Sequence, residues 1–182
     1  MITMLVGARQ RVLAQLGRLS MYRLTLYALL ALAAVAVILA TAGLISPTPL
    51  DIVATLAVLM LAVFCTDAVA QSLLRVPRRI ESSLITALIL LFVVQPGANP
   101  DQVGGVALAG VIAAISKYAL VWRGRHLFNP AAVGATVLTL TGLGFSAWWV
   151  GTPALAAPVL VLGLLVLWRT ERIRIVLLFL AV

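Results

Sequence analysis

Two places in this sequence set residues capable of chemistry inside otherwise apolar surroundings. The first is FCTDAVAQS, where Asp67 is the one carboxylate within a long apolar run and Gln71 follows one helical turn later. An ionised side chain is costly in hydrocarbon, so a carboxylate there either has a partner or lines a polar path. Two readings follow: an ion path or cofactor site, or a structural hydrogen bond to Gln71 or to a neighbouring helix. At 1.5 Å per residue, Asp67 sits about 12 Å in from the basic residues that follow, beginning with Arg75.

The second place is 124–140, GRHLFNPAAVGATVLTL. Asn129 is a helix-capping type, Pro130 suits a first helical position, and the amides beyond present partial positive charge to an anion. Lys117, Arg123, Arg125 and His126 lie close by in sequence. Together they fit a phosphate or carboxylate group of a ligand. The competing reading is a plain cap, with the cations anchoring the chain at a membrane interface. Lys117 itself is expected to snorkel towards that interface. In RRIESSLIT, Glu81, Ser82 and Ser83 are placed to cap the helix that begins there.

Other chemistries are excluded by composition. A single cysteine, Cys65, and a single histidine rule out a disulfide framework and a structural metal site within the chain. There is no nucleophile–base pair and no glycine-rich phosphate loop, so no independent catalytic residue is expected.

The elements that must hold these residues are membrane helices. Of 182 residues, 64% are hydrophobic and 10% charged, against about half and a quarter in soluble domains. The apolar runs fall at 24–45, 50–74, 82–95, 102–122, 128–149 and 153–168, with a truncated run at 174–182. A span needs about 20 apolar residues, so the third run is short and must be tilted, thinned or continued by irregular backbone. Gly104, Gly105 and Gly110 read as packing residues in a run where another helix comes close. The expectation is an all-α integral membrane protein of six transmembrane helices plus the start of a seventh, some short or interrupted.

Charge supports this division. The net charge of +8 is not a nucleic-acid signature, because all 13 Lys and Arg fall in four clusters between apolar runs, at 9–23, 75–79, 117–125 and 169–174. With the amino end in the cytoplasm and sides alternating, every cluster lands inside. Residues 1–23 are then a basic amphipathic lead-in on the membrane surface, and Trp148 and Trp149 form an outer interfacial belt. A helix stopping in mid-membrane would leave carbonyls unpaired, so the chain is expected to be part of a longer one.

The run ISKYALVWRGRHLFNPAAVG, with Ser116, Lys117, Tyr118, Arg123, Gly124, Arg125, His126, Phe128, Asn129, Pro130 and Ala131, resembles the D subunit of Rnf electron-transport complexes and the B subunit of the sodium-pumping NADH:quinone reductase. ESSLITALILLFVVQP resembles the short helix of the same family, and the likeness covers most of the chain after Met21. It implies a bacterial inner-membrane, multi-pass subunit built as two inverted repeats, akin to urea transporters, of which this chain is the first half. It also implies bound FMN or riboflavin and coupling of electron flow to Na+ or H+ movement. The partners implied are membrane lipid and other subunits or a carboxyl-terminal reductase domain. Lys117, Arg125, His126 and Asn129 become cofactor-facing candidates and Asp67 an ion-path candidate.

The family's covalent FMN is carried by a threonine in an Asp-Gly-x-Ser/Thr-Gly-Ala-Thr pattern, whose tail Gly134, Ala135, Thr136 imitates. Val133 stands where that pattern has a hydroxyl residue, and no aspartate precedes it. Thr136 is thus weighed as a flavin anchor against a threonine bonding its own helix backbone. The alternatives from other classes are a urea-transporter-like solute channel without redox activity, and an assembly scaffold.

Overall fold

A computed structural model describes residues 20–170 and 173–180. Most of residues 1–23, expected as the surface lead-in, and the last two residues of the run 174–182 lie outside the described residues. The chain is mostly helical: α1 (Met21–Thr41), α2 (Pro49–Leu74), α3 (Ile80–Val93), α4 (Pro100–Ala119), α5 (Pro130–Leu140), α6 (Pro153–Arg169) and α7 (Ile173–Leu180). A two-stranded hairpin, β1 (Val121–Trp122) and β2 (Arg125–His126), joins α4 to α5. Met21–Thr41, Pro49–Leu74 and Gln102–Ala119 are long and apolar enough to cross a membrane. Their outward faces are apolar too, with Ile38, Val53, Leu61 and Leu73 exposed, as befits helices surrounded by lipid.

Short α3 is the centre of the molecule. Ala87, Leu88, Leu90 and Leu91 have no exposed surface, because α1, α2, α4 and α5 all pack against this helix. At 14 residues it reaches about 21 Å. An extended segment then continues it, pairing with residues 145–147: Val94 bridges Ser146, Gln95 N–H donates to the Phe145 carbonyl, and Ala147 N–H donates to that of Val93. Irregular backbone at such depth is tolerated when protein surrounds it, and Val94, Pro96 and Gly97 are buried.

Three of the last four carbonyls of α3 have partners from beyond the helix or from its cap. The Leu90 carbonyl accepts from Val94 N–H, that of Val93 from Ala147, and that of Leu91 from the Trp149 indole Nε1 at 2.7 Å. Trp149 is therefore buried, its ring tilted against Phe92. This corrects the expected pair of interfacial tryptophans: Trp148 is exposed, while Trp149 caps a core helix. Trp149→Phe is expected to lose about 1–3 kcal/mol by orphaning the Leu91 carbonyl, read as a lower midpoint in detergent unfolding.

The fifth apolar run is also broken. α5 stops at Leu140, Thr141 bonds back to the Leu138 carbonyl, and Gly142 takes a left-handed φ of 71°. The remainder of 128–149 is the turn and extended strand that meet residues 93–95. Helix α5 lies against α4 through Ala109, Ala113, Ala131 and Ala135, which are all buried. A side chain on Gly134 would run into the Ala109 carbonyl oxygen and the Ala113 methyl. Gly105 and Gly110 are packing glycines as expected, against Leu138 and Leu143 and against Ala62 respectively, whereas Gly104 faces open space.

Candidate functional site

Helix α2 buries one stripe, Ile52, Thr55, Leu59, Val63, Asp67 and Gln71, at helical spacing. The lower part of that stripe is polar, and it meets α4 where Ser116, Lys117 and Tyr118 end the helix. The Lys117 ammonium donates to Asp67 Oδ2 at 2.7 Å, with both side chains almost fully buried, 6% and 3% exposed. Ser83 on α3 donates to the same oxygen at 2.5 Å. Tyr118 donates its hydroxyl to Asp67 Oδ1 at 3.1 Å and accepts from Gln71 Nε2 at 3.0 Å. Three helices thus converge on one carboxylate.

This arrangement corrects two sequence expectations and decides between the two partners weighed for Asp67, Gln71 or a neighbouring helix. Lys117 does not snorkel to the interface: its helical phase places it four residues past Ala113, on the buried face of α4, and an inward ammonium then requires a counter-ion. Asp67 is held by α3 and α4 and not by Gln71, which bonds Tyr118 instead. Neither Ser82 nor Ser83 caps α3, whose first residue follows Arg79 with no side-chain cap bond. Ser83 serves Asp67, and Glu81 pairs with Arg23 across α1 and α3 at 2.9 Å.

A cavity of about 320 Å³ opens beside the ion pair. Asp67, Gln71, Lys117 and Tyr118 form its inner end, and Arg79, Ser82 and His126 line it towards the basic ends of the helices. The hairpin brings His126 there. Arg123 and Gly124 both take left-handed φ values, 49° and 74°, the backbone of a tight two-residue turn, which registers His126 opposite Val121 on the cavity wall. Nothing in the apolar periodicity marks this hairpin; Arg-Gly between two aromatic-rich segments is its only signal.

Of the residues singled out in the sequence, Lys117, His126 and Asp67 are therefore brought together on one cavity. Arg125 is exposed on the hairpin and does not line it. Asn129 is the α5 cap, its Oδ1 accepting from Ala131 N–H at 3.0 Å. Thr136 lies exposed on α5, outside this cavity. Sequence reading overlooked Tyr118 and Ser83 as ligands of the carboxylate, and it paired Gln71 with Asp67, its neighbour on one helix face, where Gln71 instead bonds Tyr118.

The chemistry available is that of a donor-rich recess. Lys117 uses one of its three N–H donors on Asp67, and Arg79, His126 and Ser82 add further donors around the same space, while the Tyr118 proton is already given to Asp67. Comparison with protein-family models, with curated proteins and with solved structures finds no match.

Proposed function

We propose that this chain is the first, membrane-embedded half of a subunit resembling the Rnf D and sodium-pumping NADH:quinone reductase B subunits, part of a flavin-dependent complex that couples electron transfer to Na+ or H+ movement. The observation that carries this reading is the convergence of Lys117 and His126, from the family-like run, with Asp67 on one cavity. Helices α1 to α6 are then six spans, with α3 and α5 completed by their paired extended segments. The basic ends face the cytoplasm of a bacterial inner membrane, and the whole forms one arm of an inverted repeat.

The residues present suit a flavin. Its ring system carries carbonyl and ring-nitrogen acceptors, and the recess offers Lys117, Arg79, Ser82 and His126 as donors within a volume of about 320 Å³. When bound, FMN or riboflavin supplies the electron-carrying chemistry. The protein supplies orientation through these donors and a charged pair whose balance responds to added charge nearby. A buried ion pair is a poor stabiliser, because desolvation offsets its Coulomb attraction. That makes Asp67–Lys117 better suited to ion coupling than to holding helices together.

The test is a flavin assay on the full chain purified in detergent, with absorbance and fluorescence measured before and after acid precipitation. Flavin released by acid is expected, and His126→Ala should weaken its retention about tenfold, the loss of one hydrogen bond to the ligand. Arg125→Gln should leave retention unchanged. Flavin remaining with the precipitate would move the attachment to Thr136. A chain without flavin would sink the redox reading and favour a solute channel.

A further inference from the structure

A second cavity, of about 460 Å³, lies at the basic ends of the helices and is lined by Tyr22, Arg78, Arg79, Ile80, Glu81, Ser82 and His126. Its charge is lopsided. Glu81 is neutralised by Arg23, Asp67 by Lys117, and Asp51 sits at the other end of α2, bonded to Thr48 and to the Ala98 amide. Among the described residues, Arg78 and Arg79 have no carboxylate partner, and both are exposed. Two guanidinium groups beside an imidazole and a tyrosine hydroxyl outweigh the one carboxylate of the wall, Glu81, which is paired with Arg23, and such a donor-rich set is the pattern that takes a phosphate.

One side of the rim is apolar: Ile80 lines the cavity and is 61% exposed. Leu127 and Phe128, next in sequence to the wall residue His126, are 57% and 62% exposed. A free phosphate has no use for such a rim, whereas an amphiphile lays its tail along it while its head meets the arginines. The helices that carry the cavity are apolar on their outer faces, so lipid is the ligand at hand.

We propose that this cavity is a specific site for the phosphate head of an anionic phospholipid, held by Arg78 and Arg79 with His126 and Tyr22 at its sides. The site adjoins the recess of the ion pair, with which it shares Arg79, Ser82 and His126. The bound head therefore sets the charge at the mouth of that recess.

The experiment is native mass spectrometry of the full chain in detergent, with phosphatidylglycerol or phosphatidylcholine added. One phosphatidylglycerol is expected to stay bound in preference to phosphatidylcholine. Affinity should fall about fivefold in Arg78→Gln and about 25-fold in Arg78→Gln/Arg79→Gln, from roughly equal contributions per basic residue. Arg125→Gln, an exposed arginine outside the cavity, should bind as the parent does. Equal losses in Arg125→Gln and Arg78→Gln, or no preference between the two lipids, would overturn the site. Displacement of the lipid by flavin mononucleotide but not by riboflavin would assign the arginines to a cofactor phosphate and overturn the lipid assignment. Because Arg78 does not line the cavity of about 320 Å³ assigned to flavin, loss of lipid in Arg78→Gln with flavin retained separates this result from any failure of the redox reading.

Discussion

Lys117→Met should lower the stability of the chain by about 3–5 kcal/mol, one of the largest effects available to a single substitution here. Methionine keeps the length and apolar volume of the lysine stem, so packing around α4 changes little. What is lost is the one counter-ion that Asp67 has among the described residues, and its carboxylate is then left buried with two hydroxyl donors, Ser83 and Tyr118. Hydroxyl donors solvate a carboxylate incompletely, and breaking one side of a buried pair costs far more than the intact pair contributes.

Asp67→Asn combined with Lys117→Met should recover most of that loss, because the amide oxygen still accepts from Tyr118, the amide N–H can donate to Ser83 Oγ, which turns its own proton to the Arg79 carbonyl, and no net charge stays buried. Midpoints from sodium dodecyl sulfate titration of the detergent-purified variants are the measurement. A Lys117→Met chain within about 1 kcal/mol of the parent would mean that Asp67 finds water or another cation and that the pair is not closed. Recovered stability is expected, since apolar or neutral replacements of buried pairs are often at least as stable. Under the redox reading proposed above, a double variant that regains stability but no longer couples electron flow to ion movement would place the role of the pair in function.

How much of this site could be read from sequence depends on which property located each residue. Positions fixed by cost in hydrocarbon were legible: Asp67 drew attention as a charge within an apolar run, Asn129 as a cap before Pro130, and the short third run as one needing backbone beyond its helix. Side-chain direction was less so. Lys117 sits two residues from the end of α4, where composition alone favours snorkelling. Its phase relative to Ala109 and Ala113 decides otherwise, and that phase has meaning only once those alanines are known to be buried. Trp149 misleads in the same way, because its neighbour Trp148 is exposed and the two differ only by the turn between them. Ser83 and Tyr118 became ligands through contacts between helices far apart in sequence, which one chain read alone does not contain.

Gly134→Leu should destabilise by more than about 3 kcal/mol, the upper range for forcing volume into a packed interface. The obstacle is backbone: a Cβ at this position meets the Ala109 carbonyl oxygen and cannot be relieved by a rotamer change. Helix α5 must therefore move away from α4, and the alanine seam of Ala109, Ala113, Ala131 and Ala135 opens with it. The matched control is Gly104→Leu on α4, where nothing lies within 4 Å of an added Cβ. There the substitution should be neutral or stabilise by about 0.5–1 kcal/mol, since glycine within a helix carries an entropic penalty. The same pair of variants links packing to the site. The hairpin carrying His126 is tethered between α4 and α5, so displacing α5 draws His126 off the cavity wall while leaving Asp67 and Lys117, on α2 and α4, in contact. Gly134→Leu is thus expected to lose ligand retention together with stability, and Gly104→Leu to lose neither. Equal unfolding midpoints for the two variants would show that α4 and α5 do not meet at the close approach that seats the hairpin.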